Sequence, residues 1–105
     1  MNSYIIVFCT SPSSEISNQI AEECIRKKIA ACCNIIPGIN SIYEWEGKVE
    51  KSEEQLLLIK STEDNFKVIE NTINSIHPYD VPEIISVKLN DGNEPYLKWI
   101  NQSIR

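Results

Sequence analysis

The dipeptide Glu46-Gly47 sits between two strand-like stretches, and this candidate two-residue turn limits the possible folds more than any other feature of the chain. Ile39 to Trp45 leads up to it, Lys48 to Glu54 returns as a polar limb, and Gln55 to Ile59 continues as an apolar one. Taken literally, the turn sets Trp45 opposite Lys48 and Tyr43 opposite Glu50, so a single register governs a long antiparallel ribbon. The apolar base of the ribbon belongs in a core. At the tip, Tyr43 and Trp45 share a face, because side chains alternate along a strand, and too few apolar residues lie opposite to bury them. Two-stranded ribbons standing alone are marginal in water. Something outside one copy of the chain is expected to cover these rings, and Tyr43 and Trp45 are assigned to an assembly interface, where aromatic anchors commonly dominate.

The remaining elements follow from periodicity. Tyr4 to Cys9 is a continuous apolar, β-branched and aromatic run that reads as a central strand covered on both faces and stops at Thr10-Ser11-Pro12. Ser13 or Ser14 can cap a helix with Glu15 at its positive end and Ile16, Ile20, Cys24, with Ala21 and Ile25, on the apolar stripe. Lys27-Lys28 suits the end of that helix. Ala30 to Ile36 turns strand-like and continues past Pro37-Gly38, straight or with a bend, into the ribbon. Ser61 or Thr62 starts a second helix with Phe66, Ile69, Ile73 and Ile76 on one face, and His77-Pro78 ends it. Glu83 to Leu89 alternates as another strand. Asn90 to Asn93 is a turn, and Tyr96, Leu97, Trp99, Ile100 and Ile104 suit a terminal amphipathic helix.

The order strand, helix, long hairpin, helix, strand, short helix predicts an α+β, ferredoxin-like βαββαβ fold: an antiparallel sheet with two helices on one face. A chain of 105 residues with 42% hydrophobic residues predicts one domain over residues 1–105. A formal charge of −5 and a pI near 4.8 disfavour nucleic acid and anionic membranes as partners. No apolar run is long enough to span a bilayer, and Met1-Asn2-Ser3 leads into a strand-like stretch instead of a signal segment, so a cytoplasmic protein with reduced thiols is expected.

The adjacent Cys32-Cys33 pair raises the question of metal ligation, redox switching or plain burial. Alternation points the two side chains to opposite faces, one toward the helices and one away, so they are expected to occupy two environments. None of the cysteines forms a C-x-x-C pair, and Cys24 on its helical stripe reads as core. His77 reads either as a helix C-terminal cap or as a ligand partnered by Tyr79, Glu83 or another subunit. Glu50, Lys51, Glu53 and Glu54 read as a solvated ribbon face. With one histidine and no nucleotide-cradling glycine loop, the usual constellation for catalysis is missing, and no enzyme is expected.

Several segments together resemble a known family. These are Phe8-Cys9-Thr10 with Pro12, Ile29-Ala30-Ala31-Cys32 followed by Asn34-Ile35-Ile36-Pro37-Gly38, and Tyr43-x-Trp45-x-Gly47-Lys48. To them are added Glu54 with Leu58 and Lys60, His77-Pro78-Tyr79 with Pro82-Glu83, and Tyr96-Leu97-x-Trp99-Ile100. In this order they resemble the CutA family of divalent-cation-tolerance proteins over nearly the whole chain. The resemblance implies a tight homotrimer, architecturally similar to the PII signalling proteins, in which the long hairpin reaches onto a neighbouring subunit and extends its sheet. It further implies weak binding of copper, as Cu(I) or Cu(II), or of another divalent cation, with Cys9, Cys32 and His77 as the metal candidates and no organic cofactor. Thr72 is the nearest counterpart of a third cysteine found in some metal-binding relatives. Glu54, Lys60, Tyr79 and Glu83 would line a cleft between subunits, and the alternative role is a signalling or interaction scaffold binding a small molecule or partner protein there.

Overall fold

The computed structural model describes residues 3–104; Met1 and Asn2, part of the short lead-in used above to argue against a signal segment, lie outside the described residues. Strand β1 (Tyr4–Ser11) is followed by α1 (Ser14–Arg26), β2 (Cys32–Trp45), β3 (Lys48–Thr62), a 3-10 turn (Glu63–Asn65), α2 (Phe66–Ile76), β4 (Ile85–Lys88) and α3 (Glu94–Ser103). The sheet runs β2-β3-β1-β4 with every pairing antiparallel, as the predicted βαββαβ order requires.

Ser13 caps α1 by accepting the Ile16 amide at 3.2 Å, and Ile20 and Cys24 of the predicted stripe are fully buried. The helix ends in a Schellman motif: the Ile29 amide donates to Cys24 O and the Lys28 amide to Ile25 O. The left-handed residue in this motif is Lys28, at φ 58°, where glycine is usual. Lys28→Gly is therefore expected to stabilise the fold by about 1 kcal/mol, read as a higher denaturant midpoint at unchanged slope.

The core lies between the sheet and the two long helices: Ile5, Val7 and Cys9 from β1, Leu57 and Ile59 from β3, Ile20 and Cys24 from α1, Ile69 and Ile73 from α2. β1 is central but not doubly covered as its composition suggested. Ile5, Val7, Cys9 and Ser11 are buried, while Tyr4, Ile6, Phe8 and Thr10 on the other face are half-buried. The reason is that α1 and α2 both pack on the first face, and α3 covers only part of the second. Lys60 lies between the core residues Ile59 and Ser61 and so points to that second face, where its Nζ sits 5.9 Å from the Tyr96 ring centroid of α3. Ile100 of α3 is fully buried, whereas Trp99 is exposed.

The ribbon has the register read from its turn, with Trp45 opposite Lys48 and Tyr43 opposite Glu50. Glu46 (φ 50°) and Gly47 (φ 77°) both take the positive φ of a type I′ turn. At the base the pairing slips between Ile36 and Ile39, and Gly38 (φ 73°) forms the bulge. Pro37 is tolerated there because β2 is an edge strand. Beyond the bulge the arm is apolar on both faces: Tyr43 and Trp45 on one, Ile42 and Val49 on the other, with Trp45 63% and Val49 73% exposed.

Two boundaries differ from the sequence expectation. Thr62 opens the 3-10 turn, binding Asp64 and Asn65 by its side chain, so α2 begins only at Phe66. β4 spans four residues, not the expected Glu83 to Leu89, although the Leu89 amide still donates to Tyr4 O. Its ladder stops at Phe8–Ile85 because the next β1 carbonyl facing that side, Thr10 O, is taken by a side chain.

Candidate functional site

That side chain is His77. The residue ends α2, its amide bonding Ile73 O, but the ring does not cap the helix carbonyls. Nε2 lies 2.7 Å from Thr10 O and Nδ1 accepts the Tyr79 amide at 3.2 Å. A carbonyl only accepts and an amide only donates, so the ring is the neutral Nε2–H tautomer with both nitrogens engaged. The ring also packs on Tyr79, centroids 4.6 Å apart. Tyr79 in turn donates its hydroxyl to Glu54 Oε2 at 2.9 Å, and Glu54 is only 7% exposed. This chain of bonds ties β1, the segment after α2, and the base of the arm together. Partial burial, the bond to Glu54 and its charge push the Tyr79 hydroxyl up to about 12, so it remains a donor at neutral pH. His77→Ala is expected to destabilise the fold by about 1–3 kcal/mol by orphaning Thr10 O, with His77→Gln recovering part of the loss in denaturant titrations.

Cys9 lies beside this group on the helix side, fully buried. Burial first, then the charges of Glu83, Cys24 and Glu54, push its thiol up to about 12. Cys9 pairs with Leu57, and Leu57 with Ile35, so Cys32, three residues from Ile35, faces the other side of the sheet. Cys33 packs against the core and Cys32 does not, as alternation required. The three metal candidates thus do not converge. Cys9 and Cys32 are separated by the sheet, and His77 has no free lone pair. Among the described residues no three His, Cys, Asp or Glu side chains gather as a cation site. The donor set of one chain therefore does not fit a thiolate or imidazole metal centre. Thr72 is buried between the helices, where its hydroxyl accepts from Lys27 Nζ at 3.1 Å and donates to Val68 O.

Of the cleft candidates, Glu54 and Tyr79 are bonded, and Glu83 is close enough to act on Cys9. Lys60 belongs elsewhere. It lies six residues along β3 from Glu54, about 20 Å at strand rise, and its Nζ donates to Asn34 Oδ1 under Tyr96. Two groups were missing from the sequence reading: the Thr10 carbonyl, invisible as a side chain, and Asn34. Asn34 is two residues from Cys32, and that spacing alone places both on one face.

The model of the family described as "CutA1 divalent ion tolerance protein" matches residues 5–103. "Divalent-cation tolerance protein CutA" of Thermus thermophilus is 40% identical over 93% of this chain and 95% of its own length. "Protein CutA, chloroplastic" of Arabidopsis thaliana is 42% identical over 96% of this chain, which spans only 56% of that relative. The crystal structure of CutA1 from Oryza sativa superposes with a TM-score of 0.95 at 42% identity, covering 98% of this chain and 94% of that one. Sheet order, arm and terminal helix are thus matched along nearly the whole sequence, and the chain belongs to the CutA1 divalent ion tolerance protein family.

Proposed function

We propose that the chain acts in tolerance of divalent metal ions as a homotrimer of PII-like architecture, with its arm laid on a neighbouring copy. The observation that carries this reading is the arm itself: Ile42, Tyr43, Trp45 and Val49 stand exposed on both of its faces, and a monomer rarely leaves so contiguous an apolar surface in water. The cleft is shared. Because Glu54 and Lys60 are far apart on one strand, a pocket that uses both, with Tyr79 and Glu83, draws them from different copies. Copper or another divalent cation is bound weakly, by groups from more than one copy, since a single chain brings no ligand set together. The role assigned is binding and not catalysis: Cys9 stays a protonated thiol and His77 has no nitrogen to spare as a base. A cytoplasmic setting completes the reading; among the described residues no helix is long and apolar enough to cross a membrane.

A second reading, a signalling scaffold that takes a small molecule or partner protein in the cleft, draws support from the buried Glu54–Tyr79 bond, which couples the arm to the segment after α2. Light scattering at micromolar concentration tests the assembly, and a well-folded solitary chain overturns both readings. Titration with Cu(I), Cu(II) and Zn(II) tests the metal. Weak binding unchanged by Cys9→Ser and His77→Gln is expected, and tight binding abolished by either refutes the multi-copy site.

A further inference from the structure

On the face of the sheet away from α1 and α2, Cys32 and Lys60 are directly opposed in the β2–β3 register. Directly opposed side chains start from Cβ atoms about 4.5–5.5 Å apart. Both converge on one acceptor: Asn34 Oδ1 receives Lys60 Nζ, and Cys32 Sγ points to the same oxygen at 3.9 Å. No carboxylate among the described residues forms an ion pair with Lys60, whose other neighbour is the Tyr96 ring. The amine is therefore not tied up by a counter-charge. Cys9 and Cys24 are enclosed in the core, and Cys33, half-buried like Cys32, lies on the helix face of the sheet, opposite Ile59 and not a lysine. Among the described residues Cys32 is the half-buried thiol with a lysine amine directly across the ladder.

We infer that Cys32 and Lys60 form a redox-responsive covalent pair, in which the sulfenic acid of Cys32 is captured by the Lys60 amine as a reversible sulfur–nitrogen cross-link between β2 and β3. Hydrogen peroxide is the oxidant. The Cys32 thiolate attacks one peroxide oxygen, the O–O bond breaks, sulfur is oxidised by two electrons, and the second oxygen leaves as water after taking a proton. Lys60 Nζ gives up a proton to bulk water, and the lone pair so freed attacks the sulfenic sulfur. The S–O bond breaks, an amine proton goes to the departing hydroxide, and water leaves, so the chain has lost two hydrogens overall. A dithiol reverses this: one thiolate attacks the sulfur, the S–N bond breaks, the amine recovers its proton, and the second thiol resolves the mixed disulfide. The cross-link removes the Lys60 charge from beneath Tyr96 and locks the base of the arm.

The test treats the full chain with hydrogen peroxide and reads the tryptic peptides by mass spectrometry. Expected are loss of cleavage after Lys60 and a peptide pair joining Cys32 to Lys60 at the summed mass less two hydrogens, both reversed by dithiothreitol. Cys33→Ser keeps the cross-link. Lys60→Arg abolishes it and raises dimedone trapping of Cys32 several-fold, because a guanidinium does not capture the sulfenic acid. Unhindered cleavage at Lys60 while Cys32 is oxidised, or equal dimedone trapping in the wild-type and Lys60→Arg chains, overturns the pair.

Discussion

Trp45→Ala combined with Ile42→Ser is expected to turn the proposed trimer into folded single chains at micromolar concentration. The two side chains project from opposite faces of the arm and are both more than 60% exposed in an isolated copy. Truncating central aromatic and aliphatic anchors commonly costs about 2 kcal/mol or more each, and removing one from each face denies the neighbour either grip. The core near Leu57 lies well down the ribbon and does not touch the substituted positions, so far-UV circular dichroism should persist while scattering mass falls to one-third. Should the variant unfold instead, the wild-type midpoint must rise with protein concentration, as stability coupled to assembly requires. An unaltered mass would show that the arm is not the joint.

Raising the pH from about 9 to about 12 is expected to remove about 1.4 kcal/mol of stability per pH unit through Cys9 alone. In the unfolded chain this thiol titrates near its ordinary value of 9.0, and in the fold burial holds it up at about 12. Within that window the folded state keeps a proton that the unfolded state has released, so the unfolded state binds fewer protons and stability falls as pH rises. Below 9 both states are protonated and the slope vanishes. Cys24, held at about 11, and Cys33, held at about 12, add to the alkaline loss. Urea midpoints measured across the window should fall less steeply for Cys9→Ala than for the wild-type chain; identical slopes would mean that Cys9 ionises normally in the fold.

Much of the fold was legible because its signals are local. The Glu46-Gly47 turn set the register of the whole arm, since positive φ at two successive positions leaves one hairpin geometry. Ser13, the Ile20–Cys24 stripe and Pro78 marked helix limits through capping, periodicity and the restriction proline imposes on its predecessor. The 3-10 turn before α2 and the truncated β4 were not legible, because each depends on a bond to a group far away or to a side chain choosing a local alternative. Thr62 satisfied Asp64 and Asn65 instead of a helix amide, and His77 took the carbonyl that a longer β4 would have used.

The candidate site divides the same way. From the sequence alone came the separation of Cys32 from Cys33, the exposed aromatic tip and the identity of the polar residues around His77, because alternation and composition act within one strand or one short segment. The tertiary structure decided that Cys9 and Cys32 lie on opposite sides of the sheet, that His77 bonds β1 and not its own helix, and that Asn34 joins Cys32 to Lys60. The physical reason is that sidedness between strands is inherited through the pairing of β1 with β3 and of β3 with β2, and a shift of one residue in either ladder reverses it.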